Sequence, residues 1–339
     1  MKQTVIQTRA LTKRFRRSNK TNQAASEIRR LIVAVDHVDL EIPPGTVFGL
    51  IGPNGAGKTT LVKLLSTLIA PDSGQAFING YDVTKEPRKV ASSIGLSLGN
   101  ERSFYWRLTG RQNLSFFGAM NGLRGKHLGY NIDRILDLVE LREHADVKFM
   151  EYSLGTKRKL DIARALMTDP PVLFLDEPTS SIDPRAAIKI RDIIHEAKHQ
   201  GKTIVLVTHN LEEAERLADV IAVMDQGKFV AIGDAISVRG LCEGVRISVC
   251  LVNASSDHLI QDLTILEGVN RVTEHNRELT IFARQQGDVV TRIIRVVALA
   301  QVELKSVNVT RPSLEDAFLY LTGKNHDASG SSLHQARVP

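Results

Sequence analysis

One octapeptide constrains this chain more than any other feature. Gly52-Pro53-Asn54-Gly55-Ala56-Gly57-Lys58-Thr59 matches the spacing GxxxxGK[ST] in full. An apolar run, Val47 to Ile51, precedes it, and Leu61, Leu64, Leu65 and Leu68 follow at helical spacing. Strand, glycine-rich turn and helix in that order aim several unpaired backbone N–H groups at one spot. Such a spot binds phosphate, and the positive end of the helix dipole adds to the attraction. Glycine lets the backbone adopt positive φ and approach a ligand closely. Lys58 is expected to reach the outer phosphates and Thr59 to ligate Mg²⁺, with Thr60 beside them. The helix is expected to run from Lys58 to about Ala70, before a turn at Pro71-Asp72-Ser73-Gly74.

Two further strand ends carry polar side chains. Val172-Leu173-Phe174-Leu175-Asp176-Glu177 is an apolar strand ending in two acids, and His209 follows the apolar run Thr203 to Val207. In open α/β sheets, ligands bind at the carboxyl ends of the strands. Asp176 is therefore placed to hold Mg²⁺, directly or through water. Glu177 would lie nearer the outermost phosphate, where a carboxylate can polarise an attacking water. General base action of that kind is worth about 10² to 10⁴-fold in rate. His209 would hydrogen-bond the same phosphate and orient Glu177.

Strands alternate with helices from Val172 onward, the pattern of a parallel sheet covered by helices. Residues 5–15 and 31–42 read as strands around a polar stretch, 16–30, and the segment from Lys13 to Lys20 is rich in Lys and Arg. Residues 90–152 read as mostly helical, anchored by Leu136, Val139 and Leu141. Asp225-Gln226-Gly227-Lys228 reads as a hairpin turn. Beyond Gly240 the order becomes β-α-β-β-α-β, with a turn at His275-Asn276-Arg277, as in a ferredoxin-like domain. The polar, Ser-rich end, 324–339, reads as disordered.

Composition narrows the setting. The chain has 339 residues, 42% of them hydrophobic, enough for about two domains with buried cores. No apolar run reaches the roughly 18 residues of a membrane span. Met1-Lys2-Gln3-Thr4 lacks the apolar start of a secretory signal. The net charge of +6 fits a membrane-surface partner, nucleic acid or no particular partner, and selects none of them. Cys242 and Cys250 are too few for a disulfide framework or a metal site, and read as reduced packing residues.

Together with Tyr152-Ser153-Leu154-Gly155-Thr156, followed by Lys157-Arg158-Lys159-Leu160, these residues resemble the ATPase domain of ATP-binding cassette (ABC) transporters. The resemblance covers about residues 4–234. The pentapeptide is similar to the family signature LSGGQ. Ser153 and Gly155 are kept, while Leu154 and Thr156 replace a glycine and the glutamine. Ser180-Ser181-Ile182-Asp183 resembles the family's D-loop. Phe15 is similar in position to the aromatic that stacks on adenine, for which a flat π-face suffices. One departure stands out. Members usually carry a glutamine after the strand that begins here at Ile94-Gly95. This sequence reads Ser97-Leu98-Gly99-Asn100-Glu101, and Asn100 is the nearest substitute. Phe104-Tyr105-Trp106-Arg107-Leu108-Thr109 falls where the family forms a groove for a cytoplasmic helix of the membrane subunit. Pro312-Ser313-Leu314-Glu315-Asp316-Ala317-Phe318 resembles the ending of exporter ATPases served by ABC-2-type membrane subunits. That group includes drug, polysaccharide and sodium exporters.

The resemblance implies an α/β fold, a P-loop NTPase cassette with a RecA-like core. It would occupy residues 1–239, with a helical subdomain at about 90–154 and a small α+β ferredoxin-like domain at 240–323. It implies ATP and Mg²⁺ as cofactors, with Glu177, His209 and Lys58 catalytic. Nucleotide contacts would come from Phe15, Gly52, Asn54, Gly55, Ala56, Gly57, Lys58, Thr59, Thr60, Ser153, Gly155 and Asp183. Thr59, Asp176 and Asn100 would hold the metal. It also implies a head-to-tail dimer, with itself or a homologous ATPase subunit, in which Ser153 and Gly155 face the partner's γ-phosphate. A polytopic membrane permease would be the further partner, at the cytoplasmic face of the cell membrane. A soluble ABC ATPase acting on ribosomes or nucleic acid is the rival reading. A single P-loop and the lack of a long heptad insertion argue against it, and no nucleic-acid partner is expected.

Overall fold

The computed structural model describes residues 4–16, 31–99, 103–242, 244–252, 257–284, 288–300 and 302–327. Residues 17–30, Asn100 and 328–339 lie outside them. The first two apolar-alternating segments pair as antiparallel strands, β1 (Ile6–Arg16) and β2 (Leu31–Ile42). β3 (Val47–Ile51) is buried at every position, as its continuous apolar run requires. α1 (Lys58–Leu65) leaves directly from the glycine-rich loop. β4 (Ser73–Ile78) and β5 (Tyr81–Asp82) complete an antiparallel sheet in the order β2-β1-β4-β5.

α1 is shorter than its leucine spacing predicts. It ends at Leu65 rather than near Ala70. Thr67 sits at φ 62° and donates its N–H to Leu64 O at 3.2 Å, while Leu68 N–H reaches back to Lys63 O at 2.9 Å. That pair of bonds is a Schellman termination, with threonine where glycine is usual. It turns Leu68 out to solvent, 53% exposed, whereas Leu61, Leu64 and Leu65 are buried.

α2 (Pro87–Ser92) and the strand β6 (Ile94–Ser97) come next. The helical subdomain follows with α3 (Gly110–Met120), α4 (Gly125–Leu138), two short 3-10 turns and the start of α5 (Leu154–Leu166). The described part of segment 90–152 is thus mostly helical, with β6, an irregular stretch before α3 and short turns between the helices. β7 (Val172–Asp176), α6 (Pro184–His199), β8 (Thr203–Val207), α7 (Leu211–Leu217), β9 (Val220–Asp225) and β10 (Lys228–Gly233) then alternate as expected. The central sheet runs β10-β9-β3-β8-β7-β6. All neighbours are parallel except the edge hairpin β9–β10, which turns through Gln226 and Gly227, both at positive φ.

Each face of this sheet feeds its own core. Leu173, Leu175, Ile204 and Leu206 pack with the helical side, among Leu136, Leu160 and Ile190. Val172, Phe174, Val205 and Val207 pack with α1 and the antiparallel sheet, among Leu61, Leu64 and Ile78. The period of two along each strand makes this division. Burying such side chains contributes roughly 1.5 to 3 kcal/mol each.

The described residues separate into two units at Ala235/Ile236, the first residues of α8 (Ala235–Gly240). The second unit contains β11 (Val245–Leu251), α9 (Asp257–Thr264), β12 (Val269–His275), β13 (Glu278–Ala283), α10 (Val289–Leu299), β14 (Leu304–Thr310) and α11 (Leu314–Asp327). Its antiparallel sheet has the order β12-β13-β11-β14, the ferredoxin-like arrangement. Asn276 and Arg277, both at positive φ, make the β12–β13 turn. Ile247, Val249, Leu259, Ile281, Ile293 and Val297 form its core. α11 continues to Asp327, so residues 324–327, expected within a disordered tail, are helical. No proline interrupts the backbone ladder before that point.

Candidate active site

The glycine-rich loop joins the carboxyl end of β3 to the start of α1. Its glycines serve different ends. A Cβ on Gly52 would stand 2.2 Å from Met224 O, and one on Gly57, at φ 108°, 2.0 Å from Ala34 O. Both are therefore required by the protein's own backbone. Gly55 has φ 83° and open space around it, so only its conformation calls for glycine. Lys58 is folded back over the loop, donating from Nζ to Gly52 O at 2.6 Å and Pro53 O at 3.0 Å. Burial lowers its pKa, and the charges of Glu177 and Asp176 oppose that shift.

Thr59 Oγ1 donates to Asp176 Oδ2 at 3.2 Å, joining the first turn of α1 to the end of β7. Asp176 has its pKa raised, chiefly by burial; the Thr59 hydroxyl counters this, and the neighbouring Glu177 charge adds to it. Glu177 adopts φ 53°, a left-handed conformation that costs a glutamate about 1 to 3 kcal/mol. Its N–H donates to Val207 O at 2.8 Å, and its Oε2 lies 2.7 Å from His209 Nδ1. Two adjacent strand ends, β7 and β8, are thereby tied together.

Apart from Gly52 and His209, which do not line it, these groups open onto one cavity of about 350 Å³. Residues 54–60, Asp176 and Glu177 line it, together with Ala34, Leu98, Gly99 and Arg158. Sequence reasoning missed the last four. Arg158 belongs to a run of three basic residues, 157–159, whose phase on α5 the composition does not reveal. The pair of hard oxygen donors, Thr59 Oγ1 and Asp176 Oδ2, suits Mg²⁺, which takes one or two protein ligands and completes its shell with phosphate and water.

Other expected site residues lie elsewhere. Phe15, 42% exposed near the end of β1, is not among the residues that line the cavity. Ser153 and Asp183 act as N-caps, accepting from Thr156 N at 3.2 Å and Ala186 N at 2.9 Å. Gly155 is where α5 meets α6: a Cβ there would stand 2.8 Å from Ala186 Cβ and 3.6 Å from Asp183 Oδ2. The structure thus brings Gly155 and Asp183 together, but outside the cavity of their own chain.

Comparison with known proteins agrees with this geometry. The ABC transporter family profile matches residues 35–180. A daunorubicin resistance ATP-binding protein of Streptomyces coeruleorubidus is 39% identical over 290 residues, 86% of this chain and 91% of that protein. The chain belongs to the ABC transporter ATP-binding family. A linearmycin resistance ATP-binding protein of Bacillus subtilis (strain 168) is 35% identical to this family member, over 86% of the chain and 94% of that protein. The fold is shared with an ATP-binding cassette solved as a dimer in a post-hydrolysis state with ADP and Pi. That match has a TM-score of 0.60 and 23% identity, over 68% of this chain and 98% of the other. As an ABC ATPase, the chain binds and hydrolyses ATP for a transporter. These relatives are ATP-binding proteins of resistance systems, which disfavours the ribosomal or nucleic-acid reading.

Proposed function

We propose that this chain is the ATPase of an ABC-2-type exporter of the drug-resistance kind, working on a separate membrane permease. The observation that carries this reading is the reach of the match to the daunorubicin resistance protein. Its 290 residues exceed the 235 that end at Ala235, so the likeness extends into the second unit.

The residues assign themselves roles in that work. Lys58 exchanges the carbonyls of Gly52 and Pro53 for the β- and γ-phosphates of ATP. Thr59 and Asp176 would hold Mg²⁺, which neutralises charge on the phosphates. The Glu177 carboxylate, kept in place by His209, takes a proton from water as its oxygen attacks the γ-phosphorus. The bond from that phosphorus to the leaving ADP oxygen breaks, and ADP and phosphate remain. Phe15 offers an exposed ring to adenine.

Ser153 and the first N–H groups of α5 present a helix N-terminus suited to the γ-phosphate held by a second subunit. Gly155 and Asp183 lie side by side for the same interface. ATP then favours the closed dimer by binding it better than the open one, and hydrolysis releases it. No helix among the described residues is long and apolar enough to cross a membrane. The translocation path is assigned to the permease, with this chain peripheral at the cytoplasmic face.

The test uses Glu177→Gln, purified from its own cells with ATP in mild detergent, and identification of what accompanies it. A polytopic membrane protein is expected. Ribosomes or nucleic acid without a membrane protein would overturn the proposal.

A further inference from the structure

Arg158 is the one cavity-lining side chain, among the described residues, with buried polar atoms left unpaired. Its Nε and Nη1 are shielded from solvent and have no hydrogen-bond partner. Leaving a buried donor unmade is costly, and a charged one more so, so native proteins rarely keep one without a purpose. Other arginines with an unpaired buried nitrogen, Arg191, Arg246 and Arg292, do not line this cavity.

The position of Arg158 is built rather than incidental. Three residues further along α5, the buried Asp161 accepts from Ser97 Oγ at 2.6 Å and from Gly99 N at 3.3 Å. One helix therefore clamps the end of β6 and carries the arginine over it. Gly99 makes the room: a Cβ there would lie 2.2 Å from Arg158 Nη1.

Strand order says which part of a nucleotide this wall meets. From the glycine-rich loop after β3, the sheet passes β8, then β7 with Asp176 and Glu177, then β6 with Gly99. A polyphosphate held by the loop at one end projects its outermost phosphate toward β7 and β6. Lys58 is on the loop side and Arg158 on the far side.

We propose that Arg158 binds the γ-phosphate of the ATP held in its own chain's cavity, opposite Lys58, and so distinguishes ATP from ADP. This rests on the function proposed above and adds a residue to that site. The guanidinium offers a planar fork of donors that matches two phosphate oxygens, and a γ-phosphate in the cavity would give this cation, now with unpaired nitrogens, a partner.

The experiment measures ATP and ADP affinity with Mg²⁺ by titration calorimetry, in the full chain carrying Glu177→Gln so that ATP persists. Adding Arg158→Gln is expected to weaken ATP about tenfold or more, as loss of a charged hydrogen-bond pair does. ADP affinity should stay within about twofold, which also reports that the variant is folded. Arg158→Lys, which keeps the charge and loses the fork, should fall between. Equal weakening of both nucleotides, or no change in either, overturns the proposal while leaving the ATPase assignment intact. Failure of the Arg158 parent to bind either nucleotide overturns both.

Discussion

His209 Nδ1 stands 2.7 Å from Glu177 Oε2, linking the ends of β8 and β7 through their side chains. A second link lies beneath, where Glu177 N–H donates to Val207 O at 2.8 Å. Glu177 holds its unfavourable φ of 53° with its N–H bonded to Val207 and its carboxylate beside the His209 ring. The carboxylate that would activate water is thus positioned from two directions.

If the pair acts as a unit, removing either member should cost nearly as much as removing both. Glu177→Gln and His209→Ala are each expected to lower ATP turnover by about 10² to 10⁴-fold, with nucleotide affinity retained. The double variant should fall no further than the worse single one. Phosphate-release rates for the four proteins check this, and multiplicative losses would show that the two residues act separately.

The glycine-rich loop separates two uses of glycine. Gly55→Ala places a Cβ in open space at φ 83° and is expected to cost about 1 to 2 kcal/mol in stability. Gly57→Ala adds a collision with Ala34 O, and should cost roughly 2 to 5 kcal/mol. Urea unfolding midpoints measure the difference. Equal costs would mean that the Ala34 carbonyl yields freely.

The parts of this fold that were legible in the sequence are those fixed by short-range chemistry. A strand, three glycines and Lys58-Thr59 specify a phosphate loop whatever surrounds them. The turn at Asn276 was legible for a similar reason, since asparagine tolerates the positive φ that it adopts there. The end of α1 was not legible, because Thr67 takes a conformation that glycine normally marks. Arg158 was not legible either. Its meaning depends on Gly99, 59 positions away in the chain, being held under it by Asp161. Phe15 shows the converse: its place on β1 was legible, yet the structure leaves its ring outside the cavity lining.

Tyr152 gives a pH-dependent prediction. Its hydroxyl donates to His144 O at 2.5 Å, and burial pushes its pKa up to about 12. The folded chain keeps this proton up to about pH 12, while the unfolded chain loses it near the ordinary value of about 10. Between those values the folded state binds more protons, so this group's contribution to stability is lost as pH rises. Tyr152→Phe should cost about 1 kcal/mol at neutral pH through the lost hydrogen bond. That cost should shrink by roughly 1 kcal/mol per pH unit above pH 10. Denaturant unfolding at several alkaline values would record it, and parallel profiles would refute it.

Thr59 and Asp176 allow a test of the metal that leaves catalysis aside. The 3.2 Å contact brings one hydroxyl and one carboxylate oxygen together at the cavity wall, where burial already disfavours the Asp176 charge. A divalent ion bridging them to phosphate would relieve that penalty, so nucleotide affinity should depend on Mg²⁺. With chelator, the parent protein is expected to bind ATP about tenfold or more weakly, a difference of about 1.4 kcal/mol. Asp176→Asn lacks the charge that attracts the ion, so its ATP affinity should be low and nearly the same with Mg²⁺ or chelator. Calorimetric titration of both proteins under both conditions decides the matter. An Asp176→Asn protein that still gains tenfold from Mg²⁺ would move the metal to other ligands.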